Sequence, residues 1–178
     1  MRCFVAVEID DQIRKMVKKL QADIEDYDVK LVEPDNLHFT LKFFGELDKD
    51  RLKIAEAKLE KIAKLFQPFE TSLLGLGIFP SANYIKVIWA GVEGKSLYDL
   101  QKRVEEEFSG VFKSEEPHPH LTIARVRTPK HKKELTEFVN KNKHLWLGKL
   151  RIGEIKLKKS SLTPRGPVYN DIRTFKLG

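Results

Sequence analysis

Two segments of the chain repeat one pattern, in which a predicted β-strand begins His-x-Thr-apolar and is followed by a polar turn and an amphipathic helix. The first segment, "HFTLKFFGELDKDRLKIAEAKLEKI", begins at His38, and the second, "HLTIARVRTPKHKKELTEFVNKN", begins at His120. An apolar pair of strands is predicted after each segment. The repetition predicts an α+β fold of two pseudo-symmetric lobes, each with an antiparallel sheet and helices, that face one another.

The spacing of apolar residues predicts the individual elements, and the length of 178 residues suits a single domain, 1–178, whose lobes share a core. Asp48 or Asp50 is expected to cap the helix that follows the first motif. Strands are predicted over 2–8, 37–44, 69–77, 84–92, 119–126, near 149–162 and over 168–176. Helices are predicted over 11–26, 48–65, 95–108 and 130–142.

Side chains alternate between the two faces of a strand, so His38 and Thr40 project to the same side, together with Lys42. The alternation places Phe39, Leu41 and Phe43 on the opposite, core-facing side. The second motif has the same arrangement, with His120 and Thr122 on one face. Buried polar groups need partners, so a repeated imidazole and hydroxyl on one face indicate a function rather than a packing role.

An imidazole titrates near neutral pH, so one ring can accept a proton while another donates one. Two histidines on opposite sides of a phosphodiester would allow in-line displacement, because one would deprotonate the attacking water and the other would protonate the departing alkoxide. Hydroxyls at Thr40 and Thr122 would hydrogen-bond the non-bridging oxygens against the growing charge. No metal ion is needed for this scheme.

Composition limits the partners and the compartment. There are 33 basic and 26 acidic residues, a formal net charge of +7, which favours an anionic partner such as nucleic acid, although a solvated charged surface is an equally good explanation. Cys3 is the only cysteine, so no internal disulfide is possible and a reducing, cytoplasmic environment is expected. We expect no signal peptide and no membrane-spanning segment. The high Lys, Glu and Arg content is typical of heat-adapted proteins.

The motifs resemble those of the 2H phosphoesterases, and most closely the bacterial and archaeal RNA 2′,3′-cyclic phosphodiesterases. The similarity extends over "RCFVAVEI", "NLHFTLKFFGEL", "FPSANYIKVIWAGV", "PHPHLTIAR" and "KLKKSSLTPRGPVY". It implies one domain of two intertwined lobes around a central cleft, and hydrolysis of RNA 2′,3′-cyclic phosphate ends to 2′-phosphomonoesters without a cofactor. It also implies that His38 is the proton donor, His120 the acceptor, and Thr40 and Thr122 phosphate-binding residues. Exchange of the two histidine roles is chemically reasonable.

Further residues are candidates for substrate contacts. Lys42 could neutralise phosphate or emerge into solvent. Arg125 could contact phosphate or RNA, but in a regular strand it lies on the face opposite His120, so a bulge or the end of the strand is needed to bring it to the cleft. His118 could bind a metal ion with His120, or position substrate. Tyr84 lies beside a turn and is the aromatic candidate for base stacking. Arg165, in "TPRGP", borders the cleft or decorates a loop.

Two other functions remain open at this level. A 2′-5′ RNA ligase that joins tRNA halves or other RNA fragments would use the same cleft in the opposite direction. A protein that binds RNA ends without catalysis would need the charge and the cleft but not the two histidines. We expect a monomer in each case.

Overall fold

The computed structural model describes all 178 residues and confirms the predicted α+β fold, with four α-helices and nine antiparallel strands. The strands are β1 (Arg2–Glu8), β2 (Val29–Leu31), β3 (His38–Glu46), β4 (Phe69–Ser81), β5 (Tyr84–Glu93), β6 (Leu121–Val126), β7 (Trp146–Ile152), β8 (Glu154–Thr163) and β9 (Gly166–Lys176). The helices are α1 (Asp11–Ala22), α2 (Lys49–Lys64), α3 (Ser96–Glu107) and α4 (Lys132–Lys141).

The strands lie in the order β7-β4-β5-β6-β3-β1-β8-β9, and β2 pairs with β6. We call β3, β1, β8 and β9 the His38 lobe, and β6, β5, β4, β7 and β2 the His120 lobe. The two lobes meet where β3 pairs with β6, through the residues Phe39 and Leu121. The predicted strand pair after α2 exists as β4 and β5, but it joins the His120 lobe, while β8 and β9 return to the His38 lobe.

Three details differ from the predicted elements. β2 was not predicted, because three residues are too few to show a period. The predicted strand near 149–162 is two antiparallel strands, β7 and β8, separated at Gly153. The predicted helix over 130–142 begins as a short 3₁₀ turn at Pro129–His131, and the α-helix follows from Lys132.

Helices α1 and α2 begin after aspartates that satisfy their first amide groups. Asp10 Oδ1 accepts a hydrogen bond from Ile13 N (2.9 Å) at the start of α1, and Asp48 Oδ1 accepts one from Arg51 N (2.8 Å) at the start of α2. Of the two predicted caps for α2, Asp48 is therefore the cap. Helices α2 and α3 lie against the His38 lobe, and α1 and α4 against the His120 lobe.

One cluster of buried apolar residues extends through both lobes and includes Phe39, Leu41, Leu121 and Ile123 from the two motif strands. The alternate residues of both motifs are therefore held in the core, and this fixes the opposite face of β3 and β6 toward the space between the lobes. None of the helices has the length and apolar character needed to cross a bilayer.

Both motif strands carry a β-bulge three residues after the histidine. In the β1–β3 ladder the extra residue is Leu41, and in the β5–β6 ladder it is Ile123. A bulge reverses the alternation of faces for the residues that follow it. The pair Leu41–Lys42 and the pair Ile123–Ala124 are consequently both buried.

Candidate active site

A cavity of about 230 Å³ lies between the lobes and is lined by His38 and Thr40 from β3 and by His120 and Thr122 from β6. These four residues come from distant parts of the sequence, and the β3–β6 contact brings them together. The polar face predicted for each motif strand therefore lines a common cavity. Arg125 and Arg165 also line it.

The ring of His38 is hydrogen-bonded at both nitrogens. Its Nδ1 lies 2.6 Å from the carbonyl oxygen of Asn36, and its Nε2 lies 2.9 Å from Thr40 Oγ1. A carbonyl oxygen only accepts, so Nδ1 carries the proton and Nε2 of the neutral ring accepts from the threonine hydroxyl. Burial lowers the pKa of His38 to about 4, against the hydrogen bond to Asn36, and the charge of Lys158 lowers it further. His38 is therefore neutral near pH 7 in the free protein.

Two aromatic rings enclose His38. Its centroid lies 5.0 Å from that of Phe4 and 5.3 Å from that of Tyr169, whose ring is edge-on at 89°. Tyr169 also lines the cavity, and burial raises the pKa of its hydroxyl. Our sequence reasoning did not identify Tyr169, because β8 and β9 are far from the motif in the chain.

Four charged side chains form a network on the β1–β8–β9 side of the His38 lobe. Lys158 Nζ lies 2.5 Å from Glu8 Oε1 and 2.6 Å from Asp171 Oδ1, and Lys156 binds the second oxygens of the same two carboxylates. Burial would raise the pKa of Glu8 and of Asp171, but the hydrogen bonds from the lysines outweigh it and lower both. Glu8 is paired with His38 across β1 and β3, so this network lies next to the motif.

His120 uses the same backbone device as His38. Its Nδ1 donates to the carbonyl oxygen of His118, at 2.6 Å, so Nε2 is again the nitrogen without a proton in the neutral ring. The ring packs edge-on against Phe79, with centroids 4.9 Å apart. Burial lowers the pKa of His120, against the hydrogen bond to His118, and the charges of His118 and Arg125 lower it further.

The imidazole of His118 packs edge-on against Phe79 and Trp89, with both centroids at 5.0 Å, and does not line the cavity. Its backbone carbonyl, rather than its side chain, contacts His120. No group of three or more His, Cys, Asp and Glu side chains in the protein is arranged to hold a metal ion.

Lys42 is among the residues that line the cavity, but the alternative that it emerges into solvent is wrong. The bulge at Leu41 turns Lys42 toward the core, where only 3% of it is exposed. Its Nζ lies 2.7 Å from Glu105 Oε2 on α3 and 2.8 Å from the carbonyl oxygen of Lys113. The ammonium group is therefore occupied by protein partners, so Lys42 neither emerges into solvent nor offers an unpaired charge to phosphate.

The base stacking expected of Tyr84 stays a prediction. Tyr84 begins β5 at the β4–β5 turn, is exposed, and does not line the cavity. Lys86 Nζ lies 5.1 Å from its ring centroid. Tyr84 lies beside the turn, as expected, and Phe79 near the same turn packs against His120.

The bulges bring two other side chains to the cavity. Arg125 follows the bulge at Ile123 and lines the cavity. The bulge moves it to the face of His120, as was expected to be necessary. Phe43, predicted to be in the core, occupies the equivalent position after Leu41, is 55% exposed and lines the cavity. Periodicity alone missed Phe43, but its equivalence with Arg125, each five residues after a motif histidine, is visible in the sequence.

Known proteins share this sequence and fold. The family model described as LigT like Phosphoesterase matches residues 4–89 and 92–169. A protein named RNA 2′,3′-cyclic phosphodiesterase from Methanothermobacter thermautotrophicus is 40% identical, with 99% of each chain covered. Its namesake from Methanocaldococcus jannaschii is 39% identical, with 98% of this chain and 100% of the other covered.

Solved structures agree with this relationship. The crystal structure of TT0787 of Thermus thermophilus has a TM-score of 0.82 at 27% identity, and covers 99% of this chain and 98% of its own. Escherichia coli LigT complexed with 3′-AMP has the same fold, with a TM-score of 0.76 at 22% identity and coverage of 99% and 97%. The chain therefore belongs to the LigT-like phosphoesterase family.

Proposed function

We propose that the protein hydrolyses RNA ends that carry a 2′,3′-cyclic phosphate and releases 2′-phosphomonoester ends. The observation that carries this proposal is the pairing of His38 and Thr40 with His120 and Thr122 around one cavity. The relatives named RNA 2′,3′-cyclic phosphodiesterase, at up to 40% identity over nearly the whole chain, support the same reaction. The complex of E. coli LigT with 3′-AMP is consistent with a nucleotide in this cavity.

The chemistry needs one proton acceptor and one proton donor. His120 Nε2 accepts a proton from water, whose oxygen attacks phosphorus, while the bond from phosphorus to the 3′ oxygen breaks and His38 Nε2–H protonates that oxygen. The phosphate stays on the 2′ oxygen. The hydroxyls of Thr40 and Thr122 donate to the non-bridging oxygens as negative charge grows on them. These groups suffice without a metal ion.

His38 has to gain a proton before it can act as the donor. In the free protein its pKa is about 4, because burial disfavours the imidazolium. A bound phosphodiester brings a negative charge beside the ring, and an opposite charge at short range favours the protonated form. Substrate binding therefore charges the acid at the moment when the charge is needed. Thr40 must then release Nε2 and turn its hydroxyl toward phosphate.

Other residues of the cavity suit an RNA end. The guanidinium group of Arg125 offers charge to phosphate, and the exposed ring of Phe43 offers a face for a nucleobase. The two residues are equivalent in the duplicated motifs but differ in chemistry. The cavity can thus treat the phosphate side and the base side of a nucleotide differently.

A dinucleotide that ends in a 2′,3′-cyclic phosphate tests the proposal. Phosphorus NMR should show conversion of the cyclic phosphate to a 2′-phosphomonoester, with full activity in EDTA. A 3′-phosphate product, or activity lost to EDTA and restored by zinc, would contradict the proposed mechanism. Addition of an RNA fragment with a 5′-hydroxyl, such as a tRNA half, tests the ligase alternative in the same assay. Binding that persists without turnover would indicate a protein that only captures RNA ends.

A further inference from the structure

Four basic side chains line the cavity beyond the histidines, and Lys42 is the one that is buried and paired with a carboxylate. The other three are exposed: Lys30 on β2, Arg125 on β6, and Arg165 in the β8–β9 turn. We call them the basic rim. We propose that the basic rim binds a second phosphate group, namely the phosphodiester on the 5′ side of the terminal nucleotide. This inference rests on the proposed function and extends it, because it identifies a second phosphate, on the 5′ side of the terminal nucleotide, as a part of the substrate that the protein recognises.

The three cations converge although they come from separate elements. Lys30 is paired with Arg125 across β2 and β6. Lys30 Nζ also reaches the β8–β9 turn, since it lies 3.6 Å from the point where a Cβ atom on Gly166 would stand. Gly166 is the neighbour of Arg165 in that turn. The rim therefore joins the edge of the His120 lobe to a turn of the His38 lobe.

The positive charge of the rim is not neutralised within the protein. The ion pairs of the structure involve other cations, such as Lys42, Lys158 and Arg173. Glu33 and Glu115 line the cavity, but neither forms an ion pair with the rim. Three converging cations without carboxylate partners favour an anionic ligand, and guanidinium groups match phosphate geometry closely.

The rim is held at a fixed distance from the histidines. Asn36 Nδ2 donates to the carbonyl oxygen of Pro167 (3.0 Å), and the carbonyl oxygen of Asn36 accepts from His38 Nδ1. Thr163 Oγ1 donates to the carbonyl oxygen of Gly166 (2.7 Å) and closes the turn. Along β6, Arg125 follows Thr122 by three residues, and the bulge at Ile123 brings it closer than the roughly 10 Å of a regular strand. The next phosphate of a strand bound by its terminal cyclic phosphate falls within this reach.

Four substrates separate the contributions of the second phosphate. They are a mononucleoside 2′,3′-cyclic phosphate, the same compound with a 5′-phosphate, a dinucleotide with the terminal cyclic phosphate, and that dinucleotide with a neutral methylphosphonate linkage. We expect the charged dinucleotide to exceed the mononucleoside and the methylphosphonate about 10-fold in kcat/KM, as one charge-assisted contact provides. The mononucleoside with a 5′-phosphate carries its charge at the same position, so it should share this gain, and equal rates for the charged and the neutral compounds would overturn the proposal.

Lys30→Ala and Arg165→Ala test the rim itself, and both side chains are exposed, so the fold should persist. Each variant should bring the ratio of kcat/KM for the charged dinucleotide to that for the methylphosphonate toward one, chiefly by raising KM for the charged dinucleotide. Lys53→Ala, on the exposed surface of α2, is the matched control and should retain the preference. An unchanged preference in both rim variants would overturn the inference.

The assay also distinguishes failure of the rim from failure of the proposed function. Hydrolysis of all four substrates at equal rates would leave the phosphodiesterase proposal intact and remove the second subsite. If no substrate is hydrolysed, the proposed function fails, and the rim is then judged by binding. In that case a dinucleotide with a 2′-phosphate must bind more tightly than its methylphosphonate analogue to the natural protein but not to the rim variants.

Discussion

The two motif histidines share a backbone arrangement but differ in their surroundings. In both, Nδ1 lies 2.6 Å from the carbonyl oxygen two residues earlier, at Asn36 for His38 and at His118 for His120. Only His38 is hydrogen-bonded at Nε2, to Thr40. The two motifs share the hydrogen bond that fixes the tautomer and differ in what surrounds Nε2.

The difference bears on the proposed mechanism, in which one ring donates a proton and the other accepts one. A site that needs one acid and one base gains when the environments of its two titratable groups are unequal. His38 lies between Phe4 and Tyr169 with Lys158 nearby, and its pKa is lowered to about 4. His120 lies against Phe79 and beside His118, and its pKa is also lowered by burial. Variants that treat the two rings alike should therefore give unequal results.

The largest effect is expected from removal of either ring. His38→Ala and His120→Ala should each lower kcat on a cyclic-phosphate dinucleotide by about 10³-fold, the range of general acid or base catalysis. A substrate with sulfur in place of the 3′ oxygen separates the roles, because a thiolate leaves without a proton. The sulfur substrate should restore most of the activity of His38→Ala and little of that of His120→Ala.

Rescue of His120→Ala instead of His38→Ala would show that the roles are exchanged. This outcome is worth testing because the pKa of His38 in the free protein is low. Equal rescue of both variants would contradict a division into donor and acceptor. Rates measured for both substrates in the natural protein provide the reference.

The next effect concerns the free energy of unfolding, at a buried position that carries a charge in one motif strand and none in the other. Lys42 and Ala124 each follow a bulge residue and are each buried, but only Lys42 carries a charge, paired with Glu105 at 2.7 Å. Lys42→Met leaves Glu105 buried and uncompensated, so we expect a loss on the order of 3 kcal/mol in the free energy of unfolding. Denaturant titration measures it. Addition of Glu105→Gln should recover part of the loss, and a double variant as unstable as the single one would contradict the pairing argument.

The contrast between Lys42 and Phe43 shows what sequence could predict. The fold class and the motif residues on one face followed from periodicity and repetition, because those signals act over a few residues. Phe43 was assigned to the core and the burial of Lys42 was not foreseen, because a bulge at Leu41 adds one residue that no periodicity reveals. Tyr169 and the Glu8–Lys158–Asp171 network were missed for another reason: they depend on β1, β8 and β9 lying side by side, which is a property of the strand order.

A smaller and more selective effect is expected at the threonines. Thr40→Val and Thr122→Val each remove one donor to the non-bridging oxygens and should each lower kcat by about 10²-fold. Only Thr40 contacts its histidine in the free protein. Its hydroxyl donates to the neutral ring, so its loss should raise the pKa of His38, while Thr122→Val leaves the pKa of His120 in place. Histidine titration by NMR checks this, and equal shifts in both variants would contradict the asymmetry.

The smallest effect is a pH dependence of stability that His38 should dominate. Its pKa in the folded protein, about 4, is below the ordinary value of 6.5, so the unfolded chain binds the proton more readily and stability falls as pH drops below 6.5. Between pH 7 and pH 5 this loss amounts to about 2 kcal/mol. Glu8 and Asp171 contribute little in this window, because the stabilisation from a carboxyl with a lowered pKa is lost mainly as pH falls below its ordinary value, 4.5 for Glu8 and 3.8 for Asp171. His38→Gln should flatten the curve measured by denaturant titration, and His144→Gln, at an exposed position, should not. In His38→Gln, His120 should still cause a smaller loss of stability at low pH, because its pKa is also lowered. A curve unchanged by His38→Gln would contradict the prediction, since it would mean that His38 takes up its proton as easily in the folded protein as in the unfolded chain.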